Sequence, residues 1–535
     1  MSEAVKTIGE ALVDGLKARE VSCVFGIPGV HTVELYRGVA ASGLRHVTPR
    51  HEQGAGFMAD GYARVSGKPG VAFVITGPGL TNVLTPMAQA RADSVPMLVV
   101  SGVNAQASLG KGMGHLHELP NQHALAQTVA LTSEHIAKAE ELDPALNKAF
   151  EPFTSGRPGP THIQIPLDVA GGAATDLSMP VVADPAPVKT PQLQEAARLL
   201  AQAKHPVILV GGGAKRAGEA LQALAERLDA PVVQTANGRG LMHQHALGVP
   251  ASPSLVSVRA LIEGADVVLA LGTEFGPTDY DMYATGEWPQ MQQLIRVDIC
   301  DQQLSCHPAV LPVQADAVAF ATDLQAALPA DCAGTDGEAR AAETRAAALQ
   351  EIGADYRGQV AVLGAMRDAV PGSLMVGDST QPIYAGNLYY DHDRPGGWFN
   401  AATGYGALGY GIPAAIGAAI AAPDTPVICI VGDGGAQFSL PEIMTAVDEN
   451  LSITFVIWNN QGYREIATSM EDVGVEVIGC DPTPPSFAGT AQSFGIPHVT
   501  VTTDPADISA AITKNQGQGP RIVEITAPVF APAKD

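Results

Sequence analysis

Short apolar runs recur along the whole chain, each followed by a stretch with helical spacing. VSCVFGI, GVAFVITG, PMLVVSG and HIQIPL stand in the first third, PVILVGGG, PVVQT, DVVLALG and LIRVDI in the middle, and LMVGD, VICIVGD, TFVIWNN, HVTVT and RIVEITA in the last. Runs that are apolar at nearly every position are strands covered on both faces, and strands separated by helices must run parallel, because only a crossover returns the chain to the same side. The pattern predicts an α/β protein of three doubly wound parallel-sheet domains over 1–170, 190–330 and 350–535. GGAATDLSMPVVADPAPVKTP, rich in Pro and Ala, reads as a linker. CAGTDGEARAAETRAAA, in the region 331–350, reads as a charged helix or linker.

At 535 residues, with 46% apolar and 16% charged, the chain can bury several cores. Its net charge of −24 argues against nucleic acid or an anionic membrane as partner. The first twenty residues lack the apolar core of a signal peptide, and the stretch Ala407 to Val431 is interrupted by Gly and Pro, which suits a helix and strand rather than a membrane span. Six Cys without CxxC or zinc spacing read as reduced, structural thiols in a cytoplasmic protein.

The chemistry gathers at two strand ends. VICIV runs into Gly432-Asp433-Gly434-Gly435, and TFVIW runs into Asn459-Asn460, with Asn460 27 residues beyond Asp433. In open parallel sheets ligands collect at the carboxyl ends of strands. The Asp433 carboxylate, the Asn460 amide oxygen and a carbonyl at Gly462 form a hard-oxygen set suited to Mg²⁺ carrying a diphosphate. Gly, Asp and Asn also make ordinary turns. The metal reading rests on the agreement of spacing, flanking strands and double Asn, a pattern that resembles the thiamine diphosphate signature. Chemistry of that kind needs a carboxylate against the cofactor's pyrimidine ring, and Glu52, in PRHEQGAGFMADGYARVSGKPGVAFVITGPGLTN, is the candidate.

Residues 49–82, the GDG…NN element and residues 404–417 together resemble the acetolactate synthase-like group of thiamine diphosphate-dependent enzymes, over essentially the whole chain. The resemblance implies a pyrimidine-binding, a central and a diphosphate-binding domain. It implies a homodimer or a dimer of dimers (a homotetramer), with Glu52 from one subunit and Asp433, Asn460 and Gly462 from the other. By the same carry-over Ser379, Thr380 and Gln381 hold the diphosphate with Gly434, Gly435 and Tyr463, Gly406 contacts the pyrimidine amino group, and Leu408 wedges the cofactor into its bent form. Leu408 also reads as an ordinary core leucine.

Departures from the group point to the reaction. The FAD-associated Arg-Phe-Asp-Asp pattern is replaced by Gly272-Thr273-Glu274-Phe275-Gly276-Pro277, which makes FAD uncertain although Gly211-Gly212-Gly213 keeps a nucleotide-sized turn. Glu465 stands where relatives carry an alkyl side chain toward the substrate. It favours a cationic substrate group, or else it pairs with Arg464 or solvent. His31 and His117, with His115, suit proton transfer, or are loop residues. Gln122 competes with the segment 116–118 for a substrate-side position. The expected activity is a non-oxidative, Mg²⁺-dependent 2-oxo acid decarboxylase, a lyase working through a C2-enamine. GVHTVELYRG with PRHEQGAGFMADGYAR looks similar to 5-guanidino-2-oxopentanoate decarboxylases. The alternative is an acetolactate synthase-type transferase joining two 2-oxo acids.

Overall fold

The computed structural model describes residues 6–180, 188–282, 285–514 and 517–528. The first sheet holds β1 (Cys23–Gly26), β2 (Arg45–Val47), β3 (Gly70–Val74), β4 (Met97–Val103), β5 (Thr132–His135) and β6 (Pro160–Pro166), in the order β2-β1-β3-β4-β6-β5. The second holds β7 (Val207–Val210), β8 (Val232–Gln234), β9 (Gly248–Val249), β10 (Val268–Leu271), β11 (Leu294–Asp298) and β12 (Leu311–Gln314), in the order β12-β11-β10-β7-β8-β9. In the third, β13 (Leu374–Gly377), β14 (Trp398–Asn400), β15 (Val427–Gly432), β16 (Ile453–Asn459), β17 (His498–Val501) and β18 (Arg521–Thr526) run β14-β13-β15-β16-β18-β17. Every pairing within the three sheets is parallel, as the unbroken apolar runs require. The first and third sheets share one strand order. In each, the order reverses between the first and third strands, and crevices for ligands open at such points.

The two outer sheets share one hydrophobic core. Phe25, Phe57 and Val99 of the first third and Val376, Ile412, Phe455 and Ile522 of the last lie in a single buried cluster, while the middle sheet has clusters of its own. The seam is the helix Glu52–Ser66 packed on the helix Gly411–Ala421. A Cβ on Gly61 would stand 2.0 Å from the Ala414 carbonyl oxygen, and one on Gly417 would stand 1.9 Å from that of Met58. The backbones themselves touch there, which no larger residue permits. Beside the seam a buried ion-pair cluster joins the thirds: Arg64 pairs with Asp60 and Asp93, and the Tyr410 hydroxyl donates to Asp60 at 2.6 Å.

The charged, Ala-rich segment is helical over Gly337–Glu351 and lays Ala341 and Ala348 on the middle sheet. Within the expected linker, residues 181–187 lie outside the described residues. All six cysteines are free thiols. No helix among the described residues is long and apolar enough to cross a membrane.

Candidate functional site

The register of the third sheet sets Gly432 opposite Trp458, so Asp433 and Asn460 emerge at adjoining strand ends, on the reversal side of the sheet. Asp433 is fully buried, and burial raises its pKa above the usual carboxylate value against the pull of nearby amides. Its Oδ2 has no partner. The Asn460 Oδ1 lies 2.9 Å from the Gly462 carbonyl oxygen and 3.1 Å from Asp433 Oδ1. So oriented, these acceptors repel unless a cation stands between them, whereas with the amide turned over Nδ2 donates to both oxygens. Octahedral Mg²⁺ at about 2.0–2.1 Å from its ligands sets neighbouring oxygens about 3 Å apart, the spacing found here. Gly462 has φ +146°, and a Cβ there would meet the Cys480 carbonyl oxygen at 2.3 Å, so only glycine turns this carbonyl inward. The described residues hold no group of three or more His, Cys, Asp or Glu able to bind a metal, so a cation here depends on neutral amide and carbonyl oxygens.

Next to it, Asp378 directly follows β13 and anchors two loops. Its Oδ1 accepts from the Ser379 amide at 2.7 Å, and its Oδ2 from the Gly409 and Gly411 amides at 2.9 and 3.1 Å. Burial pushes its pKa up to about 6, against those same amides. This brings Ser379 and Thr380 together with the loop of Gly406 and Leu408. A Cβ on Gly435 would lie 3.6 Å from both Asp378 and Leu408. Tyr463 covers Gly434, where a Cβ would stand 2.4 Å from its ring. Thr380 caps the helix Gln381–Leu388 through its carbonyl, which accepts from the Ile383 and Tyr384 amides at 2.9 and 3.1 Å, while Pro382 has no amide hydrogen to offer. Gln381 is turned elsewhere. Its Oε1 accepts from Trp458 Nε1 at 3.3 Å and from Asn460 Nδ2 at 2.9 Å.

The first sheet presents the complementary half. Glu52 begins its helix half-buried, with Asn82 Nδ2 donating to Oε2 at 3.0 Å. From the last third, the buried Glu442 carboxylate accepts from the Arg50 and His51 amides at 3.0 Å and so clamps the turn that carries Glu52. His31 follows β1 at the matching reversal point. It is buried, its Nδ1 has no partner, and its ring meets that of His117 edge-on at 5.8 Å. Burial first and then His117 lower the His31 pKa, so the ring is neutral at pH 7. His115 is exposed on a loop held by Glu118, which accepts from four consecutive amides, 112 to 115.

Gln122 lies beneath this rim rather than on it. Its Oε1 accepts from Thr76 and Gly77, and its Nε2 reaches Ser101, Gly102 and Gln164, which leaves no free position for a substrate. Ser101 in turn bonds the buried His162. Past the Asn460–Gly462 loop, Arg464 pairs with Asp481 at 3.0 Å and donates to the Asn460 and Gln461 carbonyls, so it does not neutralise Glu465. Glu465 Oε2 instead accepts from the Tyr356 hydroxyl at 3.4 Å. Burial above all raises the Tyr384 pKa, and the Glu465 charge adds to the rise while Ser379 opposes it.

In the middle domain, Glu274 pairs with Arg157 of the first. Gly211 and Gly213 pack on Gly272, with a Cβ at 2.5 Å from its carbonyl oxygen and 2.9 Å from its Cα, so contact between two loops accounts for these glycines. Asp378, Glu442 and Trp458 carry no sequence signal beyond their places near strand ends and turns.

Known proteins match the chain in three successive segments. Residues 6–125 match the thiamine pyrophosphate enzyme N-terminal TPP binding domain, residues 193–324 the central domain and residues 378–525 the C-terminal TPP binding domain. A probable 2-ketoarginine decarboxylase, AruI, of Pseudomonas aeruginosa is 43% identical over 509 residues, covering 91% of this chain and 88% of the relative. An acetolactate synthase of Mycobacterium bovis is 32% identical over 480 residues, covering 85% and 76%. The acetolactate synthase isozyme 1 large subunit of Escherichia coli is 29% identical over 471 residues, covering 85% and 82%.

Proposed function

This chain belongs to the thiamine pyrophosphate enzyme family, and from that premise we propose a Mg²⁺-assisted, non-oxidative decarboxylase of 2-oxo acids whose substrate carries a guanidino group. 2-Ketoarginine, 5-guanidino-2-oxopentanoate, is such an acid. It would lose CO₂ and take up a proton to leave an aldehyde.

Thiamine diphosphate, when bound, supplies the carbanion and electron sink for carbon–carbon cleavage. Asp433, Asn460 and Gly462 would hold Mg²⁺ by oxygen. Ser379 and Thr380 would face the diphosphate with their hydroxyls and the backbone of their turn. Gly406 and Leu408 would orient the pyrimidine. Glu52, held at Oε2 by Asn82, would present Oε1 to the pyrimidine ring of a cofactor shared with the partner subunit. His31 and His117 are placed to pass a proton to the product carbon, His31 through its unpartnered Nδ1.

The observation that carries the substrate reading is the state of Glu465. Arg464 is engaged by Asp481, so the Glu465 carboxylate is not paired with its neighbour, accepts from the Tyr356 hydroxyl and can take a cation. A guanidinium forms paired hydrogen bonds to a carboxylate that an alkyl side chain cannot. The test is CO₂ release and product identification over pyruvate, branched, aromatic and guanidino 2-oxo acids, with and without thiamine diphosphate and Mg²⁺. The guanidino acid should lead, and Glu465→Gln should cut its advantage over apolar acids by about tenfold or more, a few kcal/mol being typical of a charge-assisted bond. An unchanged preference in the Gln variant would falsify the role of Glu465.

The acetolactate synthase relatives support a second reading, in which a second 2-oxo acid takes the place of the proton. Acetolactate formed from pyruvate faster than acetaldehyde would put that reading first. Either reaction calls for a homodimer or a dimer of dimers. In support, Val30, Met113 and Leu116 are exposed near the His31 and His117 rim, and Phe438 and Ile466 are exposed near the metal loop.

A further inference from the structure

A half-turn of one amide decides whether Asn460 is a metal ligand. With Oδ1 toward Asp433 it completes the three-oxygen set. Rotated, Nδ2 would donate to the Gly462 carbonyl at 2.9 Å and to Asp433 Oδ1 at 3.1 Å, and hydrogen bonds would close the site. Judged by its two nearest oxygens alone, the rotated form is the better one without a cation.

What opposes the rotation lies on the other side of the amide. Asn460 Nδ2 donates to Gln381 Oε1 at 2.9 Å, and a rotated Asn460 would set oxygen against oxygen there. Gln381 could turn as well, but its Oε1 also accepts from Trp458 Nε1 at 3.3 Å. An indole N–H is only ever a donor, and Trp458 is 3% exposed, so a turned Gln381 would leave that proton without water or protein to receive it. The parallel register then does the rest. Trp458 stands opposite Gly432, two residues before Asn460 on its own strand, with its side chain on the face that the helix Gln381–Leu388 crosses.

We propose that Trp458, acting through Gln381, is a positioning residue that locks the Asn460 oxygen toward the cation. The inference rests on the Mg²⁺ reading above. It also moves Gln381 from the diphosphate to the metal: its side chain orients a ligand rather than touching the cofactor. Partners that orient metal ligands are commonly worth 10–100-fold in metal affinity.

The test is a double-mutant cycle read as Mg²⁺ affinity at saturating thiamine diphosphate, by calorimetry and by the Mg²⁺-dependent shift in melting temperature. The proteins are wild type, W458F, Q381E and W458F/Q381E. A carboxylate at position 381 has only acceptor atoms, so it takes the Asn460 N–H with or without Trp458. W458F should weaken Mg²⁺ by about tenfold in the wild-type background and by less than about twofold in the Q381E background. Q381L, which keeps Trp458 and removes the acceptor, should match W458F, and it carries the test if W458F does not fold. Equal losses in both backgrounds, or no loss in W458F or Q381L, would overturn the relay. Wild-type protein that shows no saturable Mg²⁺ dependence would overturn the metal reading itself, and the relay with it.

Discussion

His162 carries no charge where it sits. Both ring nitrogens are bonded to hydroxyls, Nε2 to Ser101 and Nδ1 to Ser133 at 2.8 Å each, and burial pushes its pKa down to about 3. Its folded pKa lies below the unfolded value near 6.5, so it contributes stability that is present above pH 6.5 and is lost as the pH falls toward 3. At pH 5 the loss should be about 2 kcal/mol relative to pH 7. His162→Gln lacks this titration, so denaturation at the two pH values should show the gap between wild type and variant narrowing by that amount at pH 5. A pH-independent gap would place the titration elsewhere. Single residues also mark how far the sequence could be read. Asp433 and Asn460 were legible because spacing fixes which strand ends adjoin. Gln122 was not, because being buried beneath the rim and being exposed on it differ only in tertiary contacts. Whether Arg464 pairs with Glu465 turned on Asp481, a loop residue 17 positions away that no spacing rule connects to Arg464.

At the scale of elements, five strands do not stand out in the sequence: β2, β5, β9, β12 and β14. All five lie at sheet edges. An edge strand pairs on one side only and tolerates polar residues, as TSEH and LPVQ illustrate, so it lacks the apolar run that betrays a central strand. The edge strand β17 was legible because HVTVT keeps β-branched residues. Loops are ordered by buried acids that no pattern predicts. Asp378 holds both the Ser379 turn and the Gly406–Gly411 segment, and Asp378→Asn would turn an NH₂ group toward at least one amide donor. The expected result is a roughly tenfold rise in the thiamine diphosphate concentration needed for half-saturation, read by fluorescence, since an unmatched buried donor costs about 1–3 kcal/mol. Unchanged saturation would show that Asp378 serves the fold alone.

At the scale of the whole molecule, Glu52 and Asp433 stand on different sheets, and the proposed site takes one from each subunit. E52Q should be inactive alone, a general acid–base group being worth about 10²–10⁴ in rate, and D433A should be inactive because it removes the only carboxylate of the proposed metal set. Refolded or expressed together, they should regain about a quarter of wild-type activity, because half of random dimers are mixed and one of the two sites in each is intact. No recovery would argue for a site completed within one chain.

The shared core of the outer sheets bears on how the protein is made. The first third leaves the ribosome with the helix Glu52–Ser66 lacking the surface it packs on, and that surface begins at Gly411, some 350 residues later in synthesis. At about 5–20 residues per second the wait is roughly 20–70 seconds. Through that interval Phe57, Met58 and the flat glycine face of the nascent helix stay uncovered, a chaperone client made by the order of the chain itself.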